Sequence, residues 1–497
     1  MGGLTSKPVQ PSPGELRGVG ESSELEDIQF RVEVRKRKRK RSEDIEKEEL
    51  DRLLSTPKKK ILKTTSQYIF DNLFQDGKDS DVTLTALGTS WKLHKLYLCQ
   101  SAYFASMFSG RWTDGSKETI NIQIDDPNIN INSLHITLGS FYRDDVTIEP
   151  SDVVSVLAAA SLFQLDGLIS QCIVIMDETI NIQTVVQYHD SSVRYGCVEL
   201  TKSCINWLLA NLLSIMPDNP LRLREIPPSL MGQLIGSPHL FVIQTEFSVY
   251  VLLRLWVYLK LHPACDTEPR ESVNESHKYF RSMATSGKNG RTEYFLDSES
   301  AKPYLAVFRN MRIVHMINHH LDLESLVSDR IIPNSWLSSV FYTRWMSLLR
   351  IDSGIDKGPS NLSEETFNRE CYRCGRILQV DGQHMWRWTG FNSGMDLIIT
   401  YENYRLTLKR SGLSDHEALL SNHGSRNISY RVTVLSLNDQ KQRIYEETSK
   451  IKQTTLALNQ TVEVLLLDPV QTVFPLSLSF NFCLDTPLCS PQDTPQV

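Results

Sequence analysis

The sequence predicts an α+β multidomain protein with a disordered N-terminus, and three observations support this fold class. The chain has 497 residues, enough for about three domains of ordinary size. Its composition, 40% hydrophobic and 23% charged, is that of a soluble globular protein. The spacing of the apolar residues changes along the chain from mixed to helical and finally to alternating, which predicts a different architecture for each region.

Residues 1–63 are poor in large apolar side chains and rich in charge, Pro, Gly and Ser, so we expect a disordered tail. Residues 31–63 contain 14 Lys/Arg and 7 Asp/Glu, a net charge of +7, so the rest of the chain carries −13. The most basic part is a run of seven cations: Arg35, Lys36, Arg37, Lys38, Arg39, Lys40 and Arg41. Such a run normally faces an acidic partner, and we interpret it as a nuclear localisation signal read by an import receptor; phosphate or anionic-membrane binding is the alternative.

Two further motifs in the tail predict modifications. The start MGGLTS fits the N-myristoylation pattern with Gly2 as acceptor, and the basic run would supply the second signal for peripheral membrane association. Thr56 precedes Pro57 and three lysines, a setting suited to phosphorylation, whose negative charge would weaken recognition of the basic run.

The remaining composition restricts the location and the partners. No secretory signal and no bilayer-spanning apolar stretch is visible, so we expect a reducing compartment in which the nine cysteines are free thiols. The overall charge of −6 argues against a general nucleic-acid coat protein, so we expect no direct nucleic-acid partner.

The pattern over residues 64–178 predicts a domain that contains both helices and strands. A helical pattern at 65–74 is followed by a strand at Asp81, a turn at Gly88, and a second strand over 90–93. Helical spacing returns over 95–108, a strand follows over 119–124, and three amphipathic helices are predicted near 130–142, 151–163 and 166–176.

The rest of the chain divides into three regions that differ in the spacing of their apolar residues. Residues 179–350 are almost purely helical in pattern, most clearly from Val249 to Leu261. Residues 351–370 contain Gly, Pro and Ser and read as a linker. Residues 371–497 alternate apolar and polar side chains, as over 428–434 and 476–482, which predicts an antiparallel, β-sandwich-like domain.

Catalytic motifs are not visible in the sequence. It contains no GxSxG elbow, P-loop, GxGxxG or HExxH motif, so we expect a protein with no catalytic residues, cofactor or metal. Cys371 and Cys374 form a CxxC pair, which is half of a tetrahedral zinc site, but thiols at a sheet edge are the favoured interpretation. For His315, His319 and His320 a capping or surface role is favoured over a metal site.

Residues 64–178 resemble a BTB/POZ domain. The resemblance is carried by Ser80-Asp81-Val82, His94-Lys95, Tyr103-Phe104, Met107-Phe108 and the segment FYRDDVTIEPSDVVSVLAAASLFQLDGLISQC. It implies a homodimer, with Asp81 and Lys95 in a charged pocket near the dimer centre. The alternative is that Asp81 caps a strand and Lys95 is solvated.

The resemblance also implies a partner. BTB adaptors that recruit cullin-3 carry a hydrophobic-x-Glu element after the MF-S/T-G turn, and here Trp112 and Asp114 stand in that place, after Phe108. We expect these three residues to bind cullin-3, Trp112 as a buried anchor, although Asp is one methylene shorter than Glu. Trp112 packing on its own domain is the alternative.

The rest of the chain extends the resemblance. The helices over 179–350 are similar to the BACK region of such adaptors, and GRILQVDGQHMWRWTGFNSGMDLIITY with FPLSLSFNF resembles the C-terminal domain of the germ cell-less family. That family implies association with the nucleus, the nuclear matrix and nuclear-envelope proteins, and roles in germ-cell development or spermatogenesis.

These implications lead to a functional expectation: a non-catalytic substrate adaptor of a cullin-3 ubiquitin ligase. The C-terminal domain would bind the protein substrate, with Trp386, Trp388 and Phe391 as aromatic candidates, unless they belong to the sheet core. The alternative function is a nuclear-envelope or nuclear-matrix scaffold or transcriptional co-regulator that uses the BTB dimer without cullin.

Overall fold

A computed structural model describes residues 64–109, 118–264, 268–285, 294–390, 393–412 and 424–487. The predicted tail 1–63, including Gly2, Thr56 and the basic run Arg35–Arg41, lies outside this range. The chain divides after Lys78 into two compact units. The described part of the first unit is helix α1 (Thr65–Ile69), capped by the Thr64 hydroxyl and continued by a π-helical segment, Phe70–Gln75.

The second unit begins with an α/β region. Strands β1 (Val82–Ala86) and β2 (Thr89–Leu93) form a hairpin closed by Leu87 and Gly88, both with positive φ, as a two-residue hairpin turn requires. Strand β3 (Thr119–Asn121) pairs parallel to β1. The helices of this region are α2 (Lys95–Leu98), α3 (Ala102–Phe108), α4 (Ile131–Gly139), α5 (Val153–Leu162) and α6 (Asp166–Glu178).

One local difference from the sequence prediction has a clear cause. The helical pattern over 95–108 is divided into α2 and α3 at Ser101, which is fully buried. The Ser101 hydroxyl accepts a hydrogen bond from the Phe104 backbone and donates one of 2.5 Å to the Phe163 carbonyl. Ser101 therefore begins a new helix and ties it to the end of α5.

The helical region follows and shares its core with the α/β region. Its helices are α7 (Val185–Arg194), α8 (Val198–Asn211), α9 (Pro220–Glu225), α10 (Pro228–Gly236), α11 (Phe247–Leu261), α12 (Pro269–Thr285), α13 (Leu305–Arg309), α14 (His320–Asp329) and α15 (Asn334–Asp352). Short 3₁₀ turns lie at Met216–Asp218, Phe295–Asp297, Glu299–Tyr304 and Ile313–His315. One apolar core extends from Val146 to Leu337, with Trp256 of α11 completely buried in it. None of the described helices is long and apolar enough to cross a membrane.

The C-terminal domain consists of two packed antiparallel sheets, so the predicted fold class is confirmed. Its strands are β4 (Tyr372–Leu378), β5 (His384–Gly390), β6 (Met395–Glu402), β7 (Arg405–Arg410), β8 (Ser425–Leu437), β9 (Arg443–Thr448), β10 (Lys452–Ala457), β11 (Thr461–Leu466) and β12 (Leu476–Cys483). One sheet has the order β10-β8-β12-β4, with β9 also paired to β8, and the other has the order β11-β7-β6-β5. Apolar side chains of both sheets form a second core between them.

Residues 351–370, interpreted above as a linker, pack closely against the C-terminal domain. They include the end of α15 and helix α16 (Glu364–Glu370). Gly358 has φ +100°, and a Cβ atom there would lie 2.1 Å from the Asn427 carbonyl oxygen. The neighbouring Lys357 carbonyl accepts a hydrogen bond from the Asn427 backbone. The glycine in this segment thus permits close approach of two backbones.

Candidate functional site

The charged pair predicted for the α/β region lies at the start of α2. The Asp81 carboxylate accepts a 2.8 Å hydrogen bond from the Lys95 backbone N–H, the first residue of that helix. The Lys95 ammonium lies 5.4 Å from the centroid of the Phe108 ring. Asp81, Lys95 and Phe108 are therefore linked by contacts, and an acceptor for an N–H at a helix start stabilises that helix. Their roles in a dimer pocket or in cullin binding stay predictions.

Helix α2 also presents an apolar residue that the sequence analysis did not single out. Leu96 is 81% exposed, whereas Leu98 is fully buried and the Tyr97 ring stacks on Tyr142 at 4.6 Å. A single exposed apolar side chain is common on protein surfaces, so any role of Leu96 depends on a partner that covers it. In the sequence Leu96 is one leucine among several in LHKLYL, and only the structure distinguishes the exposed one.

Of the three residues predicted to bind cullin-3, Phe108 is the one that lies within the described part of the chain. Phe108 is half-buried at the end of α3, with its ring 6.2 Å from that of Phe104. Trp112 and Asp114 lie outside the described residues. Phe108 therefore contributes to packing within the α/β region and leaves part of its surface accessible.

The aromatic residues predicted to bind substrate lie on β5, and their rings face the inter-sheet core. Trp386 packs 5.8 Å from Phe480, and Trp388 donates a 2.7 Å hydrogen bond from its indole N–H to the Tyr372 hydroxyl. Both indoles are half-buried. Met385, 70% exposed, alternates with them on the opposite face of the strand. Substrate binding by Trp386 and Trp388 stays a prediction.

The remaining substrate candidate and the residue between the two tryptophans complete the description of β5. Phe391 lies outside the described residues. Arg387, the outward residue between the two tryptophans, pairs with the buried carboxylate of Asp396. The solvent face of β5 is therefore formed by Met385 and a partly exposed, paired arginine.

A buried ion pair attaches the C-terminal sheets to the helical region. Arg373 of β4 is completely buried and donates to the Glu246 carboxylate at 2.7 Å. The same guanidinium donates to the carbonyls of Ile235 at 2.9 Å and Ser237 at 2.6 Å. Because a buried guanidinium without partners is costly, this network requires one defined position of the sheet on the helices.

A second attachment comes from the tip of the β8–β9 hairpin. The Gln442 amide N–H groups donate to the carbonyls of Asp177, Glu178 and Ile180 at 3.0 to 3.3 Å, at the end of α6. The Gln442 amide oxygen accepts from the Asn438 amide, which orients the N–H groups toward those carbonyls. The C-terminal domain thus caps the last helix of the α/β region.

Next to this hairpin a cleft of about 630 Å³ separates α6 and α8 from the outer face of the β8–β12 sheet. Its lining includes acidic, basic and apolar side chains: Asp177, Glu178, Trp207, Phe241, Arg431 and Arg443. His239 also lines it, and burial and then the charge of Arg431 lower the pKa of this histidine. Clefts at domain boundaries of this size commonly bind ligands or peptide segments.

The three predicted histidines have different surroundings. His315 contacts the Glu370 carbonyl at 2.7 Å, and burial and the neighbouring Arg344 hold its pKa well below the usual range. The His319 ring accepts from the Leu321 backbone at the start of α14, and His320 is exposed.

The predicted CxxC thiols are both buried, and burial raises the pKa of Cys374. Cys374 faces the inter-sheet core, whereas Cys371 belongs to a separate small cluster. Within the described ranges no group of three or more His, Cys, Asp or Glu side chains is arranged to hold a metal ion.

Comparisons with known proteins identify the architecture. The BTB/POZ domain family matches residues 70–180. The chain is 41% identical over 473 residues to the protein germ cell-less of Drosophila melanogaster, covering 91% of this chain and 83% of the fly protein. It is 40% identical over 441 residues to germ cell-less protein-like 1 of Homo sapiens, covering 88% and 85% of the two chains.

A more distant match covers a smaller share of the chain. Kelch repeat and BTB domain-containing protein 8 of Danio rerio is 26% identical over 187 residues, covering 37% of this chain and 30% of that protein. The similarity to the germ cell-less proteins, in contrast, includes the C-terminal sheets. The chain therefore belongs to the germ cell-less family of BTB/POZ proteins.

Proposed function

We propose that this protein is a non-catalytic substrate adaptor of a cullin-3 ubiquitin ligase. Its BTB domain would bind cullin-3 through Phe108, Trp112 and Asp114, and its C-terminal domain would bind the protein to be ubiquitinated. The ubiquitin chemistry would take place on other subunits, and the adaptor would raise the effective concentration of substrate lysines near the conjugating enzyme. A role in germ-cell development or spermatogenesis is part of this proposal.

The observation that carries the proposal is the attachment of the C-terminal domain. The BTB helices and the helical region share one apolar core, and the Arg373–Glu246 pair and the Gln442 cap attach the sheets to it. A surface on the C-terminal domain is therefore held at a defined distance from the BTB domain. Such an arrangement suits a protein that holds two macromolecules in a fixed geometry.

Co-purification of cullin-3 with the full chain tests the proposal. The double variant Trp112→Ala/Asp114→Ala is expected to lose cullin-3. The matched control is Trp345→Ala/Asp352→Ala, because both of these residues are exposed on α15, far along the chain. Retention of cullin-3 by the first variant would remove these residues from the mechanism, and no cullin-3 with the unmodified chain would contradict the proposed function.

We propose further that the BTB domain forms a homodimer in which Leu96 lies in an apolar contact. Replacing an 81% exposed leucine with aspartate leaves the monomer core intact but places a charge in such a contact. Sedimentation of Leu96→Asp is expected to show a monomer. Leu221→Asp, at a 48% exposed site on α9, is the matched control and should remain dimeric. An unmodified chain that is monomeric at micromolar concentration would overturn the dimer.

The substrate surface is proposed to include the exposed face of β5. Proximity labelling from the full chain should lose neighbours when Met385 is replaced by Asp, and Val470→Asp, at an 89% exposed site, is the control. An identical list of neighbours in the two variants would exclude this face. Deleting residues 371–497 is less informative, because it would leave Glu246 of the helical region without its guanidinium partner.

The location of the protein is proposed to be the nucleus, with the nuclear envelope or matrix as the site of action. The seven cations Arg35–Arg41 support import by an acidic receptor groove. Replacing the run with alanines is expected to move the protein out of the nucleus, and an unchanged nuclear fraction would contradict the proposal. Thr56→Glu is expected to reduce the nuclear fraction, and Gly2→Ala to reduce any membrane-bound fraction.

A further inference from the structure

Two buried cysteines lie side by side where β4 begins and β12 ends. In the antiparallel register Phe482 pairs with Tyr372, and extending that register by one residue places Cys483 opposite Cys371. The two cysteines belong to the same small apolar cluster, together with Phe367. Directly opposed residues on antiparallel strands have Cα atoms about 4.5 to 5.5 Å apart, which lies within the range that a disulfide spans.

The two sulfur atoms have different surroundings. The Cys371 sulfur accepts hydrogen bonds from the Arg312 guanidinium at 2.8 Å and from the Asn481 amide at 3.3 Å. Donors of this kind, one of them charged, stabilise negative charge on a sulfur that attacks an electrophile. Cys483 instead donates to the Asp485 carbonyl at 3.6 Å, and burial raises the pKa of its thiol. The two sulfurs therefore differ in their hydrogen bonds, and Cys371 is the one that a guanidinium contacts.

A small cavity reaches Cys483 and the two residues that flank Cys371. It has a volume of about 60 Å³, and Cys483 lines it together with the residues on either side of Cys371, Glu370 and Tyr372. Its wall also includes Asn318 and Thr343, which are partly exposed. A cavity of this volume admits water-sized molecules, and hydrogen peroxide is only slightly larger than water.

We propose that Cys371 and Cys483 form a reversible disulfide when the protein meets a hydroperoxide. The Cys371 sulfur attacks one peroxide oxygen, the O–O bond breaks, and the second oxygen takes the Cys371 proton and leaves as water or an alcohol, so that Cys371 becomes a sulfenic acid. The Cys483 sulfur then attacks the Cys371 sulfur, the S–O bond breaks, and the hydroxyl leaves as water with the Cys483 proton. Two thiols are oxidised by two electrons and the hydroperoxide is reduced.

The bond would change the junction between the helical region and the C-terminal domain. Arg312 belongs to the helical region, and besides the Cys371 sulfur it binds the Cys371 carbonyl and the Asn368 carbonyl. A disulfide sulfur is bonded to two heavy atoms, so its position and its hydrogen bond with Arg312 would change. Oxidation would therefore alter one contact between the two regions while it joins the two strands covalently.

The test is disulfide mapping of the full chain by mass spectrometry after stepwise addition of hydrogen peroxide and alkylation of the remaining thiols. A peptide pair linked through Cys371 and Cys483 is expected, and it should disappear after treatment with dithiothreitol. In Cys483→Ser, dimedone is expected to label Cys371 as a sulfenic acid. Cys374→Ser is the matched control, because this buried cysteine lies on the same strand but faces the other core, and it should leave the linked pair intact.

The role of the guanidinium is tested separately. Arg312→Met is expected to slow formation of the linked pair about tenfold or more. Circular dichroism and the unfolding temperature of each variant identify those that do not fold, and Cys483→Ala replaces Cys483→Ser if the serine variant is among them. Other cysteine pairs linked in its place, or no link before the protein unfolds, would overturn the proposal, and an unchanged rate in Arg312→Met would overturn the role of Arg312.

Discussion

The BTB helices and the C-terminal sheets are both attached to the helical region, but the two junctions differ in chemistry. The first is a continuous apolar core from Val146 to Leu337. The second is formed by polar side chains with specific partners, above all the buried Arg373 with Glu246 and the partly exposed Gln442 with three carbonyls. Apolar contacts are non-directional and tolerate small shifts, whereas paired charges and hydrogen bonds require one geometry.

The difference indicates how each junction should respond to substitution. Removing apolar volume is expected to destabilise the BTB domain and the helical region together, because they share one core. Removing one polar partner is expected to leave the other without a hydrogen-bond or charge partner. The loss of stability should therefore be greatest where the helical region contacts the sheets. Four substitutions test this contrast, in order of decreasing expected effect.

The largest effect is expected for Glu246→Ala. It leaves the Arg373 guanidinium buried without its carboxylate, which costs about 3 to 5 kcal/mol of unfolding free energy. Urea unfolding measures the loss, and hydrogen exchange should show it first in β4 and β12. The double variant Glu246→Leu/Arg373→Met is expected to recover about half, since two carbonyls still lose their donor. A double variant as unstable as the single one would show that the charge itself is not the cause.

A comparable but smaller loss is expected for Leu253→Ala in the apolar junction. Leu253 is completely buried in α11, and the cavity left by its side chain costs about 2 to 4 kcal/mol. Hydrogen exchange is expected to increase in the BTB helices and the helical region together. Faster exchange in the C-terminal sheets alone would contradict the contrast between the two junctions.

A weaker effect is expected for Gln442→Ala at the hairpin tip. Three carbonyls at the end of α6 lose a donor, at a cost of about 0.5 to 1.5 kcal/mol because two of these hydrogen bonds are exposed to water. Gln442→Lys should restore part of the stability because an ammonium donates to the same carbonyls and suits a helix C-terminus. Gln471→Ala is the control, since that amide donates to Asp468 within its own loop. Equal losses in the lysine and alanine variants would show that the donors do not matter.

The smallest effect is a pH dependence that involves His315. Burial and the nearby Arg344, Arg312 and Arg373 lower its pKa in the folded protein. The unfolded chain therefore binds a proton that the folded chain does not, so stability falls as the pH decreases from about 6.5 toward the lowered folded value. His315→Gln should flatten this slope, measured as urea midpoints at several pH values. An unchanged slope would assign the dependence to other groups, such as His277, whose pKa is also lowered.

The regular elements were accessible from the sequence because their signals are local. The helical spacing from Val249 to Leu261 and the alternation in β8 and β12 were confirmed as elements of those types. In MWRWTGF the alternation predicts that Trp386 and Trp388 share one face of a strand. Which face is buried depends on the second sheet, and no local pattern contains that information.

The contacts between regions were not accessible in the same way. Glu246 and Arg373 are 127 positions apart, and each has an ordinary local context for a charged surface residue. The Gly- and Pro-containing segment 351–370 has the composition of a linker, but Gly358 is required for close packing on Asn427. The composition of a segment indicates how that segment behaves in isolation. The packing of these segments depends instead on residues that are distant in the sequence.

The hairpin cap has a consequence for the synthesis of the chain. Gln442 binds carbonyls up to 265 positions earlier, so α6 leaves the ribosome long before its capping residue is translated. During that interval the carbonyls at the end of the BTB domain have only water or other proteins as partners. A nascent chain that stops before β8 therefore lacks the Gln442 cap, and the end of α6 is completed only during the last quarter of translation.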